Sequence, residues 1–315
     1  MSTQTVSSLT LLVPLDGSPL AEQALPFVRT LAALVPTKVH LLRVIAPALV
    51  RAVASHEAVM LAVAGDTLGD QDEQIDTMRE TLQAEAEGYL EREAATLVTQ
   101  VQEVQREVAF GLPAEQIVAA AARLGDGMIV MATHGKGGLL RWALGSVTTR
   151  VLHLTARPVL LVRGTNLSQE EAPVPSLRRI MVALDGSLEA ERALPLAAGL
   201  AHAANADMLL AQVIDPVSAP ISVLAADDAT ARLRELAFHY LDHIAGEITG
   251  DVGRSVTTTV PVGHVAEEIV EEAARKHIDL IVLGRHGLSG AQPSFLGGTA
   301  QKVSQASSVP LLVAG

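Results

Sequence analysis

Short apolar runs alternate with longer stretches of mixed apolar and polar residues along the whole chain. The runs, of which residues 280–283 are typical, are too short for helices and are bounded as buried strands are. Strands that alternate with helices predict right-handed crossovers and a parallel sheet covered on both faces. The predicted strands are 9–15, 38–44, 104–110, 127–132, 158–162, 179–184, 207–213, 255–261, 279–283 and 310–314, and the predicted helices are 19–34, 73–99, 113–124, 146–154, 188–203, 226–249, 264–276 and 298–306.

This pattern occurs twice. Asp16 and Asp185 each follow the first strand of a copy and lie 169 positions apart, whereas Gly135 and Gly287 lie 152 positions apart. The chain is therefore two copies of one unit, and the first copy carries 17 additional residues. The predicted parts are a first domain at 1–165, a polar, turn-rich linker at 166–177 and a second domain at 178–315.

The additional residues of the first copy are expected in the irregular stretch 47–72, which is rich in aspartate and glycine near its end. Long loops of this kind often carry function, but an acidic surface insertion is tolerated with no function of its own. We favour the tolerated insertion.

Composition and charge narrow the class of partner. Apolar residues make up 49% of the chain, which suits buried parallel strands under alanine-rich helices. The formal net charge of −12 argues against binding to nucleic acid or to an anionic membrane surface. The chain has no cysteine, which rules out disulfides and thiolate metal sites. We expect a soluble, cytoplasmic protein.

A glycine pattern follows the fourth strand of the second copy. Gly284 and Gly287 are separated by two residues, and nine more residues lead to Gly297, Gly298 and Thr299 at the start of a weakly helical run. A helix that begins after glycines has free backbone N–H groups in its first turn, where the helix dipole also favours negative charge. The pattern therefore predicts a phosphate-binding loop.

With these motifs the chain resembles a tandem universal stress protein over nearly its whole length. The resemblance implies an α/β fold of two tandem doubly wound open parallel sheets, each of five strands and Rossmann-like, with ATP at the carboxyl ends of the strands, with or without Mg²⁺. It also implies that the aspartate after each first strand contacts the adenosine and that a valine at the end of each second strand lies beside the adenine. The implied nucleotide-binding residues are Asp185, Val213, Gly284, Gly287, Gly297, Gly298 and Thr299 in the second copy, and Asp16, Val44, Gly135, Gly145 and Ser146 in the first.

Each copy departs from the family's glycine pattern in its own way. Ala132 replaces the first glycine in the first copy, and Gly298 replaces the usual serine or threonine in the second. A Cβ where the backbone must approach a ligand is hard to accommodate, whereas one lost hydroxyl contact costs about 0.5–1.5 kcal/mol. We therefore prefer the second copy as the nucleotide site, although Lys136 and Arg141 of the first copy could also serve phosphate.

Enzyme signatures are absent from the sequence. It has no Walker loop, no nucleophile elbow, no zinc-binding His-Glu-x-x-His and no nicotinamide fingerprint. His134 and His286 lie in the loops but are assigned no chemistry, and His239 and His243 are better explained by a solvated helix face than by a metal. No catalytic residue and no metal ligand are predicted.

The predicted function is that of a stress-response regulatory or sensing protein that binds ATP or a related adenine nucleotide in at least one repeat. The alternatives are a nucleotide-free structural or interaction protein of the same family and, with less support, a slow ATP hydrolase. An unknown protein partner is expected to respond to the nucleotide.

The last strand of each copy predicts an interface. Residues 159–162 and 311–313 are apolar and would form an exposed sheet edge if left unpaired. The resemblance implies that such strands pair across a two-fold axis. The two copies can therefore pair within one chain, and the product can form a homodimer in turn.

Overall fold

Ten strands in the described part of the chain form one continuous sheet, in the order β3-β2-β1-β4-β5-β10-β9-β6-β7-β8. The computed structural model describes residues 6–53, 71–133, 144–164, 175–215, 229–287 and 296–315. Each half of the sheet is parallel and has the strand order of a doubly wound fold. The predicted fold class is therefore confirmed.

The first repeat alternates strands and helices as its sequence pattern predicts. Its elements are β1 (Leu9–Pro14), α1 (Pro19–Glu22), α2 (Ala24–Leu34), β2 (Thr37–Ile45), α3 (Gln71–Ala95), β3 (Glu103–Phe110), α4 (Pro113–Arg123), β4 (Met128–Thr133), α5 (Ser146–Leu154) and β5 (Val159–Arg163).

The second repeat has the same succession of elements. They are β6 (Arg179–Ala183), α6 (Leu188–Glu191), α7 (Leu194–Ala204), β7 (Asp207–Ala211), α8 (Ala229–Val252), β8 (Val256–Thr259), α9 (Val265–Arg275), β9 (Leu280–Gly284), α10 (Gly298–Ala306) and β10 (Leu311–Ala314).

The first predicted helix of each repeat is in fact two helices. Pro26 and Pro195 lie in the first turn of α2 and α7, where a proline has no N–H to donate to the preceding turn. The chain tightens just before each proline, because Gln23 N–H donates to the Leu20 carbonyl and Ala193 N–H to the Ala190 carbonyl, three residues back. The predictions of single helices at 19–34 and 188–203 were wrong for this reason.

The prediction of an irregular stretch at 47–72 was wrong at both ends. Residues 47–53 are helical, and α3 begins at Gln71. The remainder of the predicted insertion, and most of the predicted linker, lie outside the described residues.

The two repeats join through an antiparallel pair of strands. Leu161 faces Leu311, and Leu160 faces Leu312, in the register of β5 and β10. Residues one apart on these strands point to opposite faces of the sheet and belong to two different core clusters, so the junction is covered on both sides. The predicted pairing of the last strands within one chain is what the structure shows.

Two arginines cross this junction in opposite directions. The Nε of Arg163 donates to the Ser307 carbonyl at 2.6 Å and its Nη2 donates to the Gln305 carbonyl, at the end of α10. The Nη2 of Arg285 donates to the Leu152 carbonyl in the last turn of α5. An arginine of the first repeat thus binds the carboxyl end of α10 in the second repeat, and an arginine of the second repeat binds the carboxyl end of α5 in the first.

The core has one layer on each face of the sheet, and both layers run through the two repeats. Leu11 and Val13 point to one layer, while Leu12 points to the other. This arrangement explains why the strands read as continuous apolar runs rather than alternating ones. Within the described ranges, no helix is long and apolar enough to cross a membrane.

Candidate functional site

The strand order of each repeat reverses beside its first strand. The chain passes from β1 outward to β2 and β3, and then returns to the opposite side of β1 as β4. The crevice outside the carboxyl ends of β1 and β4 is the switch point, where open α/β sheets bind ligands.

A cavity of about 310 Å³ opens at this switch point in the first repeat. Its volume is at the lower end of the range for small-molecule sites. Most of its surface is apolar, and the predicted residues Asp16, Val44, Gly145 and Ser146 all line it. Its other lining residues are Pro14, Leu15, Ser18, Leu20, Ala21, Leu42, Pro113, Ile117, Met131, Ala132, Thr133, Val147 and Thr148.

One end of the cavity is the amino terminus of α5. Gly145 is the N-cap, and no side chain caps the helix. The first N–H with a partner in the helix is that of Thr149, which donates to the Gly145 carbonyl at 2.9 Å. The N–H groups of residues 146–148 therefore have no intrahelical acceptor, and the first turn carries no acidic residue. This end of the cavity suits an anion.

Thr133, at the end of β4, is a site residue that the sequence analysis missed. It is 2% exposed, lines the cavity, and its Oγ1 has no hydrogen-bond partner among the described residues. A buried hydroxyl without a partner costs free energy, so a ligand that bonded to it would remove that cost. The sequence feature that could have identified Thr133 is its position directly after Ala132, inside the glycine pattern.

Asp16 both shapes the turn after β1 and borders the cavity. Its Oδ1 accepts from the Ser18 N–H at 2.9 Å and from the Ser18 Oγ at 2.5 Å, and the Ser18 Oγ accepts from the Ala21 N–H at the start of α1. The intervening Gly17 has φ +80°, which favours glycine. Asp16 itself is exposed, so the turn leaves its carboxylate accessible.

The second repeat has the same turn after its first strand, but two of its predicted site residues, Asp185 and Gly287, are in contact. Asp185 Oδ1 accepts from Ser187 N–H at 3.0 Å and from Ser187 Oγ at 2.6 Å. The same carboxylate occupies the space that a Cβ on Gly287 would need. Two residues predicted to contact nucleotide therefore contact each other.

The other glycines of the second repeat also lie close to the protein's own backbone. A Cβ on Gly284 would lie 2.8 Å from the Ala190 Cα, because α6 packs closely on the end of β9. A Cβ on Gly297 would lie 3.0 Å from the Arg285 carbonyl oxygen, which accepts from the Gly297 N–H. Gly284 is therefore explained by packing, whereas the equivalent Ala132 lines an open cavity.

The remaining predicted residues lie where the fold expects them or outside the described residues. Gly298 and Thr299 begin α10, and a Cβ on Gly298 would have open space around it. Val213 follows β7 and packs half-buried on the core, as Val44 does in the first repeat. Gly135 and the other loop residues of the first repeat, His134, Lys136 and Arg141, lie outside the described residues.

Two tyrosines occupy matching places behind these turns. Tyr89 of α3 donates to Glu22 Oε1 at 3.1 Å, and Tyr240 of α8 donates to Glu191 Oε1 at 2.9 Å. Burial and the neighbouring glutamate raise the pKa of each tyrosine well above its usual value. Both hydroxyls therefore remain donors that fix the first helix of each repeat to the long helix.

The fold and the cavity define a tandem doubly wound α/β protein with a ligand-type cavity at a switch point. The sequence model of the universal stress protein family matches the chain twice, over residues 9–163 and 176–315. The chain belongs to the universal stress protein family and contains two of its domains.

Individual relatives agree with this assignment. A universal stress protein of Mycobacterium tuberculosis (strain ATCC 25618 / H37Rv) is 26% identical over 213 residues, which cover 67% of this chain and 68% of that protein. One of Mycolicibacterium smegmatis is 29% identical, and the match covers 59% of this chain but only 60% of that relative. The crystal structure of a universal stress protein from Archaeoglobus fulgidus has a TM-score of 0.68 at 22% identity and covers 97% of both chains. That likeness shows the fold.

Proposed function

We propose that the first repeat binds an adenine nucleotide, ATP or a close relative, in the cavity at its switch point. The observation that carries the proposal is the composition of this one cavity. It combines apolar walls, an uncapped helix amino terminus and the buried Thr133 hydroxyl without a partner. These are the features that a base, a phosphate chain and a sugar or base polar group require.

The roles follow from position in the cavity. The adenine lies among the apolar residues beside Val44, and Asp16 accepts from the ribose hydroxyls. The phosphates lie at Gly145 and Ser146 on the first turn of α5, and Gly135 is the glycine proposed to approach them from the preceding loop. A Mg²⁺ ion, if bound, would neutralise the phosphates.

The second repeat is proposed as the weaker site. Its residues Asp185, Val213, Gly284, Gly287 and the α10 amino terminus correspond to those of the first repeat. The contact of Asp185 with Gly287 must be broken before a ligand can enter between them. This cost reverses the preference that the sequence alone suggests.

Nucleotide binding is proposed to regulate a protein partner in a stress response. A ligand shifts a conformational equilibrium only if it binds one state better than another, and the loop that follows β4 is the segment whose conformation the phosphates would select. A cytoplasmic location and a homodimer belong to the same proposal.

The test uses matched substitutions in the two repeats. Val44→Phe should fill the first cavity and weaken ATP binding at least about tenfold, equal to about 1.4 kcal/mol. Val213→Phe makes the same change at the equivalent position of the second repeat and should leave affinity within about twofold. Isothermal titration with ATP measures both, and the thermal midpoint confirms that each variant is folded.

The outcomes separate the alternatives. Loss of ATP binding in Val213→Phe alone would move the site to the second repeat. Wild-type protein that neither carries adenine nucleotide when purified nor binds ATP at millimolar concentration supports a nucleotide-free interaction protein. Phosphate release that survives purification and falls in Val44→Phe would support slow hydrolysis.

A further inference from the structure

A second cavity, of about 470 Å³, lies between the repeats. Residues 153–156, at the carboxyl end of α5, form its first-repeat wall. The second repeat contributes Glu189 and Arg192 from the region of α6, Arg285 and His286 from the chain after β9, and Gly315 after β10. This cavity is at the opposite end of α5 from the proposed nucleotide site, about 13 Å along the helix axis for a helix of this length.

Arg285 is the buried charge of this cavity. The residue is only 8% exposed, and its Nη2 donates across the junction to the Leu152 carbonyl. Nη1 is buried and has no hydrogen-bond partner among the described residues. A guanidinium left partly unpaired in a buried place is costly, and burial lowers the pKa of Arg285 accordingly.

Arg163, the other arginine that crosses the junction, has more hydrogen-bond acceptors than Arg285. Arg163 donates to two carbonyls at the end of α10. Arg285 reaches one carbonyl at the end of α5, and no carboxylate in the described part of the chain lies within ion-pair distance of it. The unused donor of Arg285 is therefore available to an acceptor from outside these residues.

The rest of the lining decides the sign of the ligand. Arg192 is exposed on the wall and adds a second permanent positive charge. Glu189, Gly315 at the end of the sequence and the carbonyl dipoles at the end of α5 oppose them. The buried guanidinium of Arg285 nevertheless has an unused donor, and a guanidinium matches the geometry of phosphate oxygens.

We propose that the cavity between the repeats binds a phosphate group carried by a small molecule. Arg285 Nη1 donates from the buried side and Arg192 from the exposed side. The volume exceeds that of a bare phosphate ion, so the ligand carries an organic part as well. Because this ligand would touch α5 and the chain after β9 together, its binding would hold the two repeats in one arrangement.

The experiment titrates the full chain with inorganic phosphate and with glycerol phosphate, and follows the side-chain NMR signals of His286 and His153. These histidines report on this cavity and not on the amino end of α5. Arg285→Gln should weaken binding about tenfold, since hydrogen bonds to charged groups are the strong ones, and Arg192→Gln about threefold. Glu189→Gln should strengthen binding about threefold, because it removes the opposing charge.

Arg163→Gln is the matched control, because it removes the other cross-junction arginine without touching the cavity lining. It should leave phosphate affinity unchanged. Tighter binding of glycerol phosphate than of inorganic phosphate would support the organic part of the ligand. Histidine signals that do not move at 20 mM of either probe, or binding that is the same in Arg285→Gln and Glu189→Gln as in wild type, would overturn the proposal.

Discussion

Single residues show how one position has diverged between the repeats. Thr133, the last residue of β4, and Arg285, the first residue after β9, lie 152 positions apart and so occupy equivalent places in the two copies. Thr133 lines the first cavity and has a buried hydroxyl without a partner among the described residues, whereas the Arg285 guanidinium reaches across the junction. The same backbone position therefore lines the switch-point cavity in one repeat and contributes to the interface between repeats in the other.

The hydroxyl of Thr133 yields a stability prediction. Thr133→Val should leave the free energy of unfolding unchanged or raise it by up to about 1 kcal/mol, because it removes a buried group without a partner. Thr37→Val is the matched control: Thr37 is equally buried, but its Oγ1 donates to the Val35 carbonyl at 2.8 Å. The control should lose about 1 kcal/mol in urea unfolding. Equal losses in the two variants would show that the Thr133 hydroxyl is satisfied in the free protein.

The paired tyrosines predict how stability depends on alkaline pH. The pKa of Tyr89 and of Tyr240 is raised in the folded protein, so above pH about 10 the unfolded chain loses these protons first. The contribution of these tyrosines to the free energy of unfolding should therefore be fully present below pH about 10 and decrease as the pH rises beyond it. In the double variant Tyr89→Phe/Tyr240→Phe, the free energy of unfolding measured in urea should decrease less steeply between pH 9 and 11. The difference in slope should correspond to about two protons at most. An unchanged slope would contradict the account.

Among the elements, the strands were the most predictable from sequence. Their continuous apolar runs placed all ten within a few residues of the observed bounds. The breaks before α2 and α7 were missed although Pro26 and Pro195 were visible, because the helical pattern continues through them. The contacts of Thr133 and Arg285 could not be predicted, since they depend on which elements meet across the sheet and across the junction.

The packing of α6 on β9 leaves no room for a Cβ at Gly284. Gly284→Ala should destabilise the protein by about 1–3 kcal/mol, because the new Cβ meets the Ala190 backbone, which cannot move without shifting α6. The reverse change at the matching position, Ala132→Gly, should cost only about 0.5–1 kcal/mol from backbone entropy. Chemical unfolding measures both. A Gly284→Ala variant as stable as wild type would mean that α6 is not held against β9.

The described part of the molecule is organised on a single sheet of ten strands. The antiparallel pair of β5 and β10 and the two cross-junction arginines fix the repeats to each other. The first repeat has a cavity at its switch point, and in the second repeat Asp185 lies against Gly287. The sequence predicted the repeat and the joining strands, but it could not predict the contact of Asp185 with Gly287, which depends on packing.

Nucleotide binding at the first repeat is tested by amide hydrogen exchange with and without ATP. Binding there should slow exchange at residues 146–148, the first turn of α5, with little change at residues 298–300, the first turn of α10. Slower exchange at 298–300 alone, or no change at either helix under saturating ATP, would contradict binding at the first repeat.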